Sequence, residues 1–109
     1  MSYLHKNLAG GNFDKLNFVQ KMANIGSELE RVIRWRDKNS LYAKEAFERC
    51  LELLDFTIKK EKEFCRLKEL LRIREGIADY FYGENQYSFS DDFWKKYFYH
   101  FNYAAQISK

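Results

Sequence analysis

The sequence predicts an all-α protein, a bundle of four helices in an antiparallel up-and-down arrangement. The 109 residues include no proline, the strongest helix breaker. Apolar residues recur at spacings of three and four along most of the chain, and no stretch keeps the alternation of a half-buried strand. The polar breaks between the apolar segments are short, which favours antiparallel neighbours. The length suits a single domain.

The first predicted helix covers residues 13–37, and residues 1–12 are predicted to be a flexible arm in front of the domain formed by the rest of the chain. A glycine-rich turn ends at Asn12, which we expect to cap this helix. Gly26 and Ser27 lie beside the apolar stripe, where small side chains let a neighbouring helix approach closely. The stripe recurs at helical spacing and consists of Phe18, Met22, Ile25, Leu29 and Val32.

The second and third helices are predicted on either side of a charged run. After a polar break at 37–40, an apolar stripe runs through Ala43, Phe47, Cys50 and Leu54. The stripe loses its phase in the run 59–63, so we predict a bend or short loop at 60–63. The third stripe contains Phe64, Leu67, Leu71, Arg74, Ala78 and Phe81. Because no glycine or proline lies in the break, one continuous helix over 40–82 is the alternative.

A loop at 83–90 precedes the fourth predicted helix. We expect Gly83 to end the third helix in the left-handed conformation. Ser90 is a suitable N-cap, and the two aspartates after it face the positive end of the helix dipole. The main apolar stripe of the fourth helix consists of Trp94, Phe98, Phe101 and Ala105.

Composition narrows the classes of function. No stretch has the roughly 18 uncharged apolar residues that a membrane span needs, and the first ten residues lack the apolar run of a signal peptide. We therefore expect a cytoplasmic protein. The net charge of +3 is mild for a nucleic-acid binder.

No cofactor or metal site is expected from the sequence. Cys50 and Cys65 fall within helical patterns without a second ligand at metal spacing, so we interpret both as buried small side chains. His5 and His100 are isolated. The sequence contains no Ser/His/Asp arrangement and no glycine-rich phosphate loop, which favours a non-enzymatic protein.

Three polar residues occupy positions where apolar ones are expected. Arg74 lies between Leu71 and Ala78 on the third stripe, and Asp55 and Asp79 are embedded in apolar segments. A buried arginine needs a carboxylate partner. The first interpretation is a structural ion pair that fixes the helix register. The alternative is a polar ligand-binding pocket in the bundle core.

Aromatic residues are concentrated in the last third of the chain. The sequence has eight tyrosines, ten phenylalanines and two tryptophans, and twelve of these 20 lie between Tyr80 and Tyr103. They have three interpretations, namely a packed core, a surface for self-association or a protein partner, and stacking on bases or a planar ligand. The candidate interface residues are Trp94, Tyr97, Tyr99 and Tyr103.

Basic residues form two further groups. Arg31 and Arg34 share a face of the first helix, and Arg66 and Arg72 lie on the third. One interpretation is a phosphate-binding surface for nucleic acid. The other is a solvated face with local ion pairs, for which the expected pairs are Glu30–Arg34, Glu45–Arg49 and Glu69–Arg72.

Two segments, 46–55 (AFERCLELLD) and 70–81 (LLRIREGIADYF), resemble the small helical-bundle proteins of the HEPN type. Members of that family act as ribonuclease toxins or as partners of a nucleotidyltransferase, so the resemblance implies a bundle that contacts RNA. The family's reactive motif, an arginine followed four to six residues later by a histidine, is absent around His5 and His100. The resemblance therefore implies a member without nuclease activity.

These observations give one leading hypothesis and two alternatives. The leading hypothesis is a non-enzymatic bundle that self-associates or docks a protein partner through its aromatic C-terminal region. The first alternative is an RNA-binding protein of the HEPN type. The second is a small-ligand binder with a polar pocket in its core.

Overall fold

The computed structural model of the protein describes residues 13–107, and within them it contains four α-helices and no strand. The all-α prediction is therefore confirmed. The predicted arm, His5 and the Asn12 cap lie outside the described residues. No helix in this range is long and apolar enough to cross a bilayer. The helices are α1 (Phe18–Trp35), α2 (Ser40–Lys60), α3 (Phe64–Tyr82) and α4 (Asp91–Ile107).

The first helix begins later than predicted, because Asn17 caps it. A short 3-10 turn covers Phe13–Lys15, and Asn17 then takes an extended conformation. The Gln20 backbone N–H donates to Asn17 Oδ1 at 2.8 Å, and the Asn17 backbone N–H donates to Gln20 Oε1 at 3.0 Å. This reciprocal capping box satisfies two backbone donors that the helix itself cannot pair.

A three-residue connection, 61–63, separates α2 from α3, so the alternative of one continuous helix is wrong. Glu61 is extended, and Glu63 caps α3 by accepting the backbone N–H groups of Arg66 at 2.8 Å and Cys65 at 3.1 Å. These two hydrogen bonds, the one from Arg66 first, lower the pKa of the exposed Glu63 carboxyl. The extended residue Glu61 therefore follows the end of α2 and the side-chain cap of Glu63 starts α3, without a glycine or proline in the connection.

The loop at 83–90 is confirmed, but its geometry differs from the prediction. Gly83 has φ −108° and is not left-handed, whereas Asn85 and Ser88 have φ of 53° and 56°. The carboxylate of Asp79 accepts the backbone N–H groups of Gln86 at 2.9 Å and Tyr87 at 3.2 Å. Asparagine tolerates the left-handed conformation better than most residues, so Asn85 makes the reversal that we expected of Gly83.

The start of α4 is fixed by side chains. As predicted, Ser90 Oγ accepts the backbone N–H of Phe93 at 3.1 Å. Asp91 accepts hydrogen bonds from Arg36 at 2.5 Å and from the Tyr80 hydroxyl at 2.7 Å. Burial acts to raise the pKa of Asp91, but the bonds from Tyr80 and Arg36 outweigh it and the pKa is lowered. Asp91 thus connects α4 to α1 and α3 as a charged carboxylate.

The contacts between helices confirm the antiparallel up-and-down order. Arg36 at the end of α1 meets Asp91 at the start of α4, whereas Phe18 at the start of α1 meets Phe101 far along α4, with ring centroids 6.2 Å apart. Across the other seams, too, residue numbers rise along one helix as they fall along its partner. The pairs that show this are Phe13–Phe56, Trp35–Tyr42, Phe47–Tyr82, Asp55–Arg74, Gly76–Trp94 and Tyr97–Glu69. The helices therefore form a ring in which each helix contacts the helices next to it in the chain, and α4 also contacts α1.

The seams are not equally tight. A Cβ placed on Gly26 would lie 2.7–2.9 Å from three carbon atoms of Phe98, so the predicted close approach at Gly26 is confirmed. Ser27 beside it is exposed. Among neighbouring helices, the backbones of α3 and α4 approach each other least. The looser seam leaves space for a cleft between α3 and α4.

The two cysteines have different environments. Cys50 is fully buried in the core, as predicted, and burial, followed by the charge of Glu28, raises the pKa of its thiol. Cys65 is exposed, so the prediction for it is wrong. Its position in the first turn of α3, next to the 72% exposed ring of Phe64, places it on the outside of the bundle.

Candidate functional site

The polar cluster predicted for the core lies on the surface. Arg74 and Asp55 do pair, with a second contact between Nη2 and Oδ2 of 3.2 Å, but their side chains are 38% and 54% exposed. Asp79 is engaged in the loop after α3 and does not join them. The predicted phase of the α3 stripe was wrong by one residue, because Leu70, Ile73 and Ile77 are buried while Leu71 is half exposed. The ion pair is confirmed and the core pocket is wrong.

A different ion pair is buried. Glu28 of α1 accepts a hydrogen bond from Arg49 Nε of α2 at 2.7 Å, with side chains only 6% and 14% exposed. Arg31 also pairs with Glu28. The expected Glu45–Arg49 pair is therefore wrong, because Arg49 turns inward between two helices. The position of Glu28 beside Ile25 and Leu29 on the apolar stripe was the signal for it.

The candidate nucleic-acid residues are largely neutralised by carboxylates. The expected Glu30–Arg34 and Glu69–Arg72 pairs are confirmed, at 3.8 and 2.9 Å. Arg31 pairs with Glu28, and the guanidinium of Arg66 lies 4.9 Å from the centre of the Phe18 ring. These contacts favour the interpretation of a solvated face. Nucleic-acid binding itself stays a prediction.

The four aromatic interface candidates fall into two groups. Trp94 is 2% exposed, and Tyr97 is half-buried with its hydroxyl donating to Glu69 at 2.8 Å. Tyr99 and Tyr103 are 61% and 56% exposed, and their rings stack with centroids 6.3 Å apart. Trp94 and Tyr97 belong to the inside of the α3–α4 seam, and Tyr99 and Tyr103 face outward.

The outward side of α4 is a continuous exposed surface, here called the α4 outer face. Helical spacing of three and four residues places its members on one side of the helix. Two lysines stand near its start and Ile107, 67% exposed, at its end. All of its members are exposed, namely Asp92, Lys95, Lys96, Tyr99, Tyr103, Gln106 and Ile107.

The seam between α3 and α4 contains a cleft of about 430 Å³, here called the α3–α4 cleft. The α3 wall is close to the aromatic rings, since a Cβ on Gly76 would lie 2.8 Å from Phe89 and 3.2 Å from Trp94. Helix α4 and the 83–90 loop supply the rings. The lining residues are Glu69, Arg72, Ile73, Glu75, Gly76, Tyr87, Phe89, Phe93, Trp94 and Tyr97.

Ring-to-ring contacts hold the aromatic wall of the cleft. Phe89 stacks on Phe93 with centroids 4.6 Å apart and planes 23° apart. Trp94 meets both rings edge to face, at 4.9 and 5.0 Å. Tyr97 lies nearly parallel to Phe93, at 6.3 Å. Each such contact stabilises the fold by roughly 1 kcal/mol beyond the contribution of its buried area. The rings of the wall therefore hold one another in place.

Two carboxylates are fixed at the rim of the cleft by tyrosine hydroxyls. Glu69 accepts from Tyr97 at 2.8 Å and from Arg72 at 2.9 Å. Glu75 accepts from Tyr87 at 2.7 Å. Burial, and then Glu69, raise the pKa of Tyr97, and the hydrogen bond to Glu75 raises the pKa of Tyr87. The rim therefore presents oriented negative charge next to aromatic faces.

Trp94, one of the residues that line the cleft, carries a buried donor. The indole N–H of Trp94 has no hydrogen-bond acceptor among residues 13–107, although the side chain is 98% buried. A buried donor without a partner costs about 1–3 kcal/mol. No group of three metal-ligating side chains occurs within the described range. The lining of the cleft thus combines carboxylates, one arginine and aromatic rings.

Tyr97→Phe should reduce the loss of stability at alkaline pH. Unfolded tyrosines deprotonate near pH 10, and folding raises the pKa of Tyr97 above that value. Its contribution to stability is therefore complete below about pH 10 and is lost as the pH rises further. Urea midpoints at about pH 9 and pH 11 measure the difference. The control is Tyr99→Phe, which removes an exposed hydroxyl, and its urea midpoint should fall between these two pH values as steeply as that of the unaltered chain. An equally steep fall of the urea midpoint in Tyr97→Phe would contradict the role given to the Tyr97 hydroxyl.

No protein-family model, curated protein or solved structure matches this chain. The resemblance to HEPN bundles therefore stays a prediction, which rests on the segments 46–55 and 70–81 alone. Fold class is established by the helices themselves. What the protein binds has to be inferred from the α4 outer face and the α3–α4 cleft.

Proposed function

We propose that the protein is a non-enzymatic helical bundle that works by self-association, with the α4 outer face of one copy packed against that of another. The observation that supports it is the stacked pair Tyr99 and Tyr103, which stays more than half exposed, with Ile107 on the same face. Tyrosine is enriched at the centres of protein interfaces, where it contributes much of the binding energy.

The α4 outer face is suited to pairing with itself. Most homo-oligomers are two-fold symmetric, so the same patch meets its copy in reverse order. An antiparallel pairing centred on Tyr99 places Lys95 of one copy opposite Tyr103 of the other, twice. An ammonium over a tyrosine face is worth roughly 0.5–2 kcal/mol. The lysine end of the face of one copy is therefore suited to the tyrosine end of the other.

The double substitution Tyr99→Ser/Tyr103→Ser should weaken self-association at least about tenfold. Both side chains are mostly exposed, so the domain should keep its fold and its thermal midpoint. Sedimentation velocity over a concentration series measures the dissociation constant. The matched control is Leu41→Ser, which removes an equally exposed side chain from α2, a helix that does not adjoin α4.

Two results would refute this proposal. One is an unchanged dissociation constant in the double variant, and the other is equal weakening by Leu41→Ser. Docking of a different protein on the same face would leave the chain monomeric and stays the alternative. RNA binding through Arg66 and Arg72 predicts a steep dependence on salt, which neither tyrosine substitution would alter.

A further inference from the structure

We infer that the α3–α4 cleft is a binding site for an organic cation, a methylated or quaternary ammonium group on a small molecule. The cleft lies on the inner side of α4, away from the exposed tyrosine pair. The inference therefore does not depend on self-association. It rests on the size, the charge and the lining of the cleft.

The size and lining of the cleft match those of small-molecule sites. Ligand pockets have volumes of roughly 300–1,000 Å³ and are mainly apolar, with a few fixed polar groups. The α3–α4 cleft has about 430 Å³, aromatic walls and three charged side chains at its rim. The close approach of Gly76 to Phe89 and Trp94 closes the α3 wall behind the rings.

The charge of the rim selects a cation. Arg72 is paired with Glu69, so these two side chains largely cancel. Glu75 has a neutral hydroxyl, that of Tyr87, as its hydrogen-bond partner, and its Oε2 has no partner within residues 13–107. The rim therefore keeps one negative charge. An anion would meet this charge and the negative faces of the rings, whereas a cation is attracted by both.

The aromatic lining favours an alkylated ammonium over a metal ion or a bare amine. Quaternary ammonium groups are weakly hydrated and are recognised by aromatic faces together with carboxylates. Phe93 and Tyr97 are nearly parallel, and Trp94 stands edge-on to Phe93 and Tyr97, so faces point in more than one direction. A compact cation with methyl groups on all sides contacts such a set of faces without a directional hydrogen bond.

Choline, a quaternary ammonium group on a short neutral chain, is the simplest probe of these aromatic faces and of the rim charge. Its uncharged isostere, 3,3-dimethylbutan-1-ol, has the same shape and the same hydroxyl.

Titration of the full chain with choline, followed by NMR of the Trp94 indole N–H, tests the inference. We expect saturable binding with a dissociation constant of roughly 0.1–1 mM, and about tenfold weaker binding of 3,3-dimethylbutan-1-ol. Glu75→Gln removes the negative charge of an exposed side chain but keeps its size and an acceptor oxygen. It should weaken choline binding about tenfold. It should leave the binding of the neutral isostere unchanged.

A second variant separates the ring effect from general apolar contact. Phe93→Leu keeps an apolar side chain at a 42% exposed position, so it should fold and should bind choline several-fold more weakly. Tyr99→Ser/Tyr103→Ser should bind choline normally, which distinguishes failure of this site from failure of self-association. Equal affinity for choline and its isostere, unchanged binding in Glu75→Gln, or no saturation would each overturn the inference.

Discussion

Replacing Glu28 with alanine should lower the free energy of unfolding by about 3 kcal/mol. The Glu28 carboxylate is buried between α1 and α2, where it accepts a 2.7 Å hydrogen bond from Arg49. Both side chains are mostly shielded from water. Alanine leaves the Arg49 guanidinium without this partner, and an uncompensated buried charge is costly. Urea unfolding, with a check that the slope is unchanged, measures the loss.

The loss of stability in Glu28→Ala should come from the unpaired charge of the Arg49 guanidinium. Replacing both partners, as Glu28→Leu/Arg49→Met, should recover most of the lost stability, since apolar pairs often substitute for buried ion pairs. Glu30→Ala, which breaks the exposed Glu30–Arg34 pair on the same helix, should cost less than about 1 kcal/mol. A double variant as unstable as Glu28→Ala would contradict the account.

Gly26→Ala should destabilise the protein by about 1–3 kcal/mol, although helix propensity alone predicts that the substitution is stabilising. Alanine is favoured over glycine inside a helix by about 1 kcal/mol. At this position the new methyl group would lie under 3 Å from three carbon atoms of the buried Phe98. Either α4 moves away from α1 or Phe98 leaves its place in the core, and both lose packing.

Ser27→Ala is the matched control, because Ser27 is the next residue of the same helix and is exposed. It should change the thermal midpoint little. Combining Gly26→Ala with Phe98→Ala should cost less than the sum of the two single substitutions, since alanine lacks the Cγ and Cδ1 atoms of Phe98 that the new methyl group would meet. Additive losses, or a stabilised Gly26→Ala variant, would show that the α1–α4 seam is not as tight as described.

Local signals in the sequence predicted most of the fold. The α1 stripe from Met22 to Val32 is buried as expected, and the phase loss after residue 58 coincides with the actual end of α2. Asn17 and Gln20 form a capping box, so α1 begins later than the apolar pattern predicts. The α3 stripe was misplaced by one residue, because leucines at both 70 and 71 fit a helical stripe.

The candidate sites could be predicted only in part. The aromatic surplus near helix four left a packed core, an interface and a stacking surface open, and the structure buries Trp94 while it leaves Tyr99 and Tyr103 exposed. The α3–α4 cleft depends on the distance between two helices and on the course of the 83–90 loop, which no local pattern contains. Glu69, Glu75 and Tyr87 come together from separate turns and a loop. Their convergence is a tertiary property.

The solution molar mass of the unaltered chain, measured by light scattering on a sizing column, is the direct test of self-association. Self-association through the α4 outer face predicts a species of twice the chain mass of 13.2 kDa, in equilibrium with the single chain on dilution. A mass of one chain at every concentration would contradict the account. Tyr99 and Tyr103 would then have to be explained by another partner.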